Sequence, residues 1–152
     1  MSSEEYEGTY RKLDEMQVAT SRFSVKSRDE IWPKLDVIAE SCDGCISGPP
    51  IIIFHEDTGV DGFDVEVGYP VSTLIETDEI KTRVLKAVPA MTMYHFGSFE
   101  KLGESYLALL GQITEEGRMS GKTRREVFHE LTLDNPDDTV IELQIGLFER
   151  NN

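Results

Sequence analysis

Two segments of this chain each occur twice, in the same order, and this internal similarity restricts the possible folds more than any other feature. SGPPIIIFHE at positions 47–56 is similar to SGKTRREVFHE at positions 120–130. FDVEVGYPV is similar to VIELQIGLF, an alignment that sets Glu66 opposite Glu142. A third match lies in the spacing of apolar residues, which is the same for Leu13, Met16 and Val18 as for Leu85, Val88 and Ala90. Three alignments in one order predict an internal duplication.

Each predicted repeat has the order strand, helix, strand, strand, and the repeats cover about 9–75 and 80–150. Apolar residues at helical spacing follow the first strand of each repeat, and two strand patterns joined by turn residues follow the helix. One helix cannot cover the apolar face of its own sheet. We therefore expect an α+β fold in which two pseudo-symmetric βαββ repeats form one antiparallel sheet, with both helices on one face and a ligand groove on the other.

The first helix has two possible starts. Ser27 and Glu30 have capping-box spacing, which would begin the helix at Arg28. Pro33 disfavours that start, because a proline inside a helix removes a hydrogen bond and its ring presses on the preceding turn. A start capped by Asp29 moves Pro33 closer to the tolerated first turn, so we expect the Asp29 start.

Chain length and charge limit the class of protein. A chain of 152 residues, 39% of them hydrophobic, predicts a single domain at 9–152 after a flexible acidic tail at 1–8. The 29 acidic and 15 basic residues give a formal charge of −14, which disfavours direct binding to nucleic acid or to an anionic membrane. No apolar stretch resembles a leader or a membrane span, so we expect a soluble, cytoplasmic protein.

The two cysteines, Cys42 and Cys45, form a C-x-x-C that follows a predicted helix. A reactive pair usually lies where a helix begins, since the positive end of the helix dipole lowers the thiol pKa. A structural zinc needs about four ligands, of which two thiols supply half unless a second subunit completes the site. We therefore predict no metal site and no cofactor, and the role of the pair stays open.

Alternation along the last strand assigns its side chains to two faces. Ile141, Leu143 and Ile145 share the face that we expect under the helices, and Glu142 faces the opposite way. By the same count Glu66 also faces away from the helices. A one-sided antiparallel sheet commonly shows polar residues to water, so a solvated Glu142 is the alternative.

Aromatic residues near strand and helix starts suit a bulky cation when they lie beside a carboxylate. Tyr106, at helical spacing, fits a core position better. The predicted ligand-binding residues are Glu142, Glu66, Tyr94, Trp32, Phe54 and Phe128.

The segments VPAMTMYHFGSFEKLGESYLALLGQI, GKTRREVFHE and NPDDTVIELQIGL resemble the GyrI-like effector-binding domain, also found in AraC-type and multidrug-responding regulators. The resemblance begins at about Thr9 and is most specific around His95, around Glu126 and in the last strand. It implies two βαββ halves and a groove glutamate, at Glu142, for cationic or amphipathic aromatic compounds. Ile141, Gly146 and Phe128 depart from the motif, and the last of these removes a phenol that is common there.

Three functions follow from the resemblance. The first is stand-alone binding of hydrophobic, cationic aromatic molecules. The second is hydrolysis of strained cyclopropane rings in alkylating natural products, with Glu142 as the catalytic carboxylate and His55, His95 and Tyr94 as candidate helpers. The third is an acidic protein-interaction module, such as a gyrase modulator, which would need a protein partner.

Overall fold

The computed structural model describes residues 7–55, 62–132 and 134–148. The predicted tail at 1–8 and the turn-rich segment at 55–62 therefore lie largely outside the described residues. Within the described part, no helix has both the length and the apolar character needed to cross a membrane. The secondary structure of that part is β1 Thr9–Leu13, β2 Met16–Val25, α1 Ile31–Ser41, β3 Ile51–Phe54, β4 Phe63–Pro70, β5 Lys81–Leu85, β6 Val88–Phe96, α2 Leu102–Glu115, β7 Met119–Glu130 and β8 Val140–Phe148.

The chain divides into two compact units. The N-terminal unit is Asp14–Ala87, in which α1 packs on strands in the order β3-β4-β2-β5. The C-terminal unit joins β1 to the chain from Val88 onward, and α2 packs on strands in the order β1-β6-β8-β7. Adjacent strands within each unit are antiparallel. The α+β class, the antiparallel pairing and one helix for each repeat are confirmed.

Each repeat has two strands before its helix, β1 and β2 or β5 and β6, where the sequence predicted one, and the first of the two pairs in the other unit. The two units are therefore not the two sequence repeats. β1 pairs with β6, and β5 pairs with β2. Only Asp14 and Glu15 separate β1 from β2, yet these two strands belong to different units. Each unit is therefore completed by an edge strand from the other repeat.

The expected Asp29 start of the first helix is wrong. Ser27 caps a single 3-10 turn, Arg28–Glu30, and the Glu30 carboxylate accepts a hydrogen bond of 2.9 Å from the backbone N–H of Ser27. The α-helix itself begins at Ile31. Pro33 then stands in the first α-helical turn, where backbone N–H groups have no intrahelical acceptor, so its missing N–H costs nothing.

The core of each unit lies between its helix and its sheet. α1 buries Ile31, Leu35 and Ile38, and α2 buries Leu102, Leu109 and Ile113. The facing strands contribute alternate apolar residues with no exposed surface, namely Val65 and Val67 of β4 and Ile141 and Leu143 of β8. Apolar burial of this kind is the main stabilising term for both units.

Candidate functional site

The two faces of β8 carry different chemistry, as the alternation predicted. Ile141 pairs with His95 of β6, and the His95 Nδ1 atom lies 2.7 Å from the Ser105 hydroxyl of α2, so these residues face the helix. Glu142 pairs with Tyr94 and faces the other way. His95 also donates from Nε2 to the Ser98 carbonyl oxygen at 2.8 Å, which ties the start of α2 to the sheet. With both ring nitrogens engaged and 3% of its surface exposed, His95 is a structural residue.

Glu142 lies at the centre of a polar cluster on the face away from α2. Its Oε1 atom accepts a hydrogen bond from His129 Nε2 at 2.8 Å. Its Oε2 atom accepts from Gln144 Nε2 at 2.9 Å and from Arg11 Nη1 at 3.2 Å. Glu142 is 5% exposed, which contradicts the alternative of a solvated carboxylate. These four residues are the Glu142 cluster.

Glu66 has an equivalent environment in the N-terminal unit. Arg83 donates to both of its oxygens, at 2.6 and 2.8 Å, Thr20 donates at 2.5 Å and His55 at 3.0 Å. Burial raises the pKa of Glu66, but the hydrogen bonds from Arg83, Thr20 and His55 outweigh that effect and lower it to about 2. These four residues are the Glu66 cluster.

The two clusters share an arginine, a histidine and a glutamate at matched positions, whereas their fourth members, Thr20 and Gln144, are not matched. His55 and His129 are the histidines of the repeated Phe-His-Glu, and Arg83 and Arg11 stand two residues before a matched leucine. Each cluster draws its arginine from the exchanged edge strand, β5 or β1. Because both halves keep the arrangement, we interpret it as a device that holds the edge strand in place.

The predicted aromatic residues do not gather around Glu142. Tyr94 lies beside it, with its ring centroid 5.6 Å from His129 and 6.3 Å from Phe96, which is 65% exposed. Phe128 pairs with Ile141 and so lies on the opposite, helix-facing side of β7, where its ring is 6.4 Å from Phe99.

The other two predicted aromatic residues belong to the N-terminal unit. Phe54 pairs with Val65 on the helix-facing side, with the Arg28 guanidinium 5.6 Å from its ring centroid. Trp32 is half-buried in the first turn of α1. The ligand-binding role of these residues stays a prediction.

A third carboxylate, which sequence reasoning did not select, lies under α2. Glu126 of β7 pairs with Leu143, faces the helix and has no exposed surface. The Tyr106 hydroxyl donates to its Oε2 atom at 2.5 Å. The Arg124 guanidinium carbon lies 4.9 Å from the centroid of the Tyr106 ring. Glu126, Tyr106, Arg124, Phe128 and Phe99 form the Glu126 site. The spacing of Tyr106 predicted a core position, and its hydroxyl in addition binds the carboxylate of this site.

The duplication supplies an internal comparison for this site. Glu126 stands two residues before the phenylalanine of the repeated motif, and the residue at that position in the other repeat is Ile52. The strand register agrees, since Ile52 pairs with Val67 and Glu126 with Leu143, the residues that directly follow the two matched glutamates. Ile52, like Glu126, has no exposed surface.

Tyr106 of α2 also has an apolar counterpart in the other repeat. Tyr106 lies eight residues after its cap serine, Ser98, and Leu35 lies eight residues after Ser27 (106 − 98 = 35 − 27 = 8). Leu35 is a buried core residue. A leucine and an isoleucine therefore satisfy the fold where the C-terminal unit has a tyrosine and a glutamate. The signal was present in the sequence, as a carboxylate aligned with an isoleucine in the repeated segment.

The two cysteines are a further pair of candidate groups. Burial raises the pKa of Cys42, and the Cys45 thiol donates to the Cys42 carbonyl oxygen at 3.2 Å, so the pair has the contacts of a helix end. Within the described residues, no three His, Cys, Asp or Glu side chains are grouped so that they could hold a metal ion.

Comparisons with known proteins show similarity at the level of the fold. No protein-family model and no curated protein sequence matches this chain. Among solved structures, the EcmrR C-terminal domain is 18% identical, with a TM-score of 0.80 over 95% of this chain and 99% of that one.

Two further structures are similar over most of their length. A hydrolase encoded by lin2189 from Listeria innocua is 11% identical, with a TM-score of 0.70 over 96% of this chain and 94% of that one. SAV2435 bound to tetraphenylphosphonium is 8% identical, with a TM-score of 0.67 over 93% of this chain and 94% of that one. At such identities the likeness shows a shared fold.

Proposed function

We propose that this protein is a small-molecule binding protein of the GyrI-like type, and that its ligand is a hydrophobic aromatic cation held by the Glu126 site. The observation that carries the proposal is the buried Glu126, which replaces the isoleucine of the duplicated half. The SAV2435 structure with its bound tetraphenylphosphonium supports the ligand class, since that compound is an aromatic cation.

The energetic reason is the cost of keeping a carboxylate away from water. Burial of an ionised group costs several kcal/mol unless partners compensate, whereas isoleucine at the same place would add about 2 kcal/mol of hydrophobic stabilisation. The isoleucine of the other repeat shows that the fold does not require a carboxylate at this position. A delocalised cation with an aromatic body adds a charge contact to the carboxylate and packs against the rings of Phe128 and Phe99.

The proposal moves the ligand carboxylate from Glu142 to Glu126. Glu142 is held by Arg11 and His129, which occupy positions that both repeats share with Glu66, whereas the carboxylate of Glu126 has no counterpart in the other repeat. Tyr94 and Phe96, exposed beside that cluster, do not lie on the face of Glu126.

Isothermal titration with tetraphenylphosphonium and the neutral triphenylphosphine oxide tests the proposal. Glu126→Gln keeps an acceptor for the Tyr106 hydroxyl and removes only the charge, so we expect affinity for the cation to fall about 30-fold, equivalent to about 2 kcal/mol, with little change for the neutral compound. Glu130→Gln is the matched control, because it removes the same charge from an exposed position of the same strand.

Two results would overturn the assignment. Equal cation affinity in wild type and Glu126→Gln removes Glu126 from the site. Loss of cation preference in a folded Glu142→Gln variant instead would return the site to the Glu142 cluster.

Hydrolysis is the second candidate, and the Tyr106–Glu126 contact is the observation that favours it. A phenol and a carboxylate joined by a 2.5 Å hydrogen bond can donate a proton to one substrate atom and accept one from water. Incubation with a cyclopropane-bearing electrophile, followed by mass spectrometry, should then show a ring-opened product that carries one added water. Absence of turnover, with binding retained, would leave binding as the function.

A further inference from the structure

One residue of the Glu126 site supplies a positive charge of its own. Arg124 lies on the same face of β7 as Glu126, since it pairs with Ile145 and the two positions differ by two residues. Its guanidinium carbon is 4.9 Å from the Tyr106 ring centroid, within the range of a cation–π contact. The hydroxyl of the same tyrosine donates to Glu126. Tyr106 therefore joins an internal cation to the buried carboxylate.

The duplicated half shows that the fold does not require this cation. Arg124 stands two residues before Glu126, and the matched position in the other repeat is Pro50. All three residues of the Arg124–Tyr106–Glu126 chain thus have apolar counterparts, in Pro50, Leu35 and Ile52. A feature that is absent from one of two copies of a fold is not explained by the fold.

We infer that Arg124 is the specificity-determining residue of the Glu126 site, acting as a tethered competitor for cationic ligands. This inference rests on the proposed function. The guanidinium occupies the face of Tyr106 on which a ligand cation would stack, and its charge repels that cation. A cationic ligand must displace the guanidinium from this ring, whereas a neutral ligand meets no like charge there, so Arg124 sets the balance between cationic and neutral aromatic ligands.

The test is arranged so that the role of Arg124 and the proposed function can fail separately. Tetraphenylphosphonium and triphenylphosphine oxide are titrated into wild type, Arg124→Met, Glu126→Gln and the double variant. Lys122→Met is the control for net charge, since Lys122 is exposed on the same strand. Arg124→Lys keeps the charge without the planar stacking group, and circular dichroism confirms that each variant is folded.

We expect Arg124→Met to bind the cation about five-fold more tightly than wild type and more tightly than Lys122→Met, with the neutral compound unchanged and Arg124→Lys intermediate. Unchanged or weaker cation binding by Arg124→Met would overturn the inference, and so would an equal gain in Lys122→Met. Cation affinity in the double variant equal to that of Arg124→Met would keep Arg124 as competitor while removing Glu126 from the proposed function. If Arg124→Met behaves as wild type but Glu126→Gln loses the cation, the function stands and the inference falls.

Discussion

The Glu66 cluster predicts a specific dependence of stability on pH. Arg83, Thr20 and His55 hold the pKa of Glu66 at about 2, against 4.5 for the free side chain. A carboxyl whose pKa is lowered on folding stabilises the folded state at pH values above the unfolded pKa, and this contribution is lost as pH falls through the folded pKa. The relevant window is therefore pH 5 to 2.

The magnitude follows from the shift. At pH 7 the difference of 2.5 pKa units (4.5 − 2) corresponds to about 3 kcal/mol of unfolding free energy, at 1.36 kcal/mol per unit. At pH 3 linkage leaves about 1.4 kcal/mol, because the unfolded carboxyl is then largely protonated. Between pH 7 and pH 3, Glu66 alone should cost the protein about 2 kcal/mol.

Glu66→Gln removes this titration, and the pKa of Arg83, which the Glu66 carboxylate raises, lies above the pH range of the experiment. Urea unfolding of both proteins at pH 7, 5, 4 and 3 gives the difference in free energy at each pH. We expect wild type to be the more stable by about 3 kcal/mol at pH 7, and the difference to shrink by about 2 kcal/mol at pH 3. A difference that stays constant with pH would refute the reasoning, since it would mean that the mutation acts through packing and that Glu66 titrates normally.

Two other predictions concern packing and the edge of the C-terminal unit. Gly68→Ala should destabilise the protein by about 3 kcal/mol or more, because the new Cβ would lie 1.9 Å from the Ala19 carbonyl oxygen. In Gly103→Ala of α2 the new Cβ meets nothing within 4 Å, so this variant should gain about 0.5–1 kcal/mol of stability. Urea unfolding of both variants checks this, and equal effects would contradict the close approach. Gln112→Ala should speed hydrogen exchange at the Gly8 amide about ten-fold, since the Gln112 side chain accepts from Gly8 N at 2.6 Å and donates to Gly8 O at 2.9 Å. Unchanged protection of that amide would show that Gln112 does not hold the segment ahead of β1.

The histidines illustrate what the sequence could and could not predict about the site. His129 was not selected, although it stands in a motif that occurs twice, because a histidine on a strand carries no signal of its partner. In the folded chain it lies 2.8 Å from a glutamate thirteen positions later. His95 was a candidate catalytic helper, yet Ser105 and Ser98 fix both of its nitrogens. Only the contacts distinguish the two cases.

The sequence by itself determined the duplication, one helix followed by two strands in each repeat, and the face to which Glu142 and Glu66 belong. These features depend on periodicities of two and 3.6 residues, which are local and can be read without knowing any long-range contact. The spacing of Ser27 and Glu30 also predicts the capping box that the structure contains, and Pro33 does not oppose it because the first α-helical turn tolerates proline.

Only the tertiary structure decided which strand completes each unit and which groups surround each glutamate. β1 could pair with its own repeat or with the other, since the spacing of its apolar residues is the same in both, and the choice depends on hydrogen bonds to β6 made about eighty residues away. Glu126 and Glu142 are both glutamates within strands, so residue type alone does not distinguish them. Burial against α2 on one side, and an ion pair with Arg11 on the other, separate them because the free energy of a carboxylate depends on its surroundings in space.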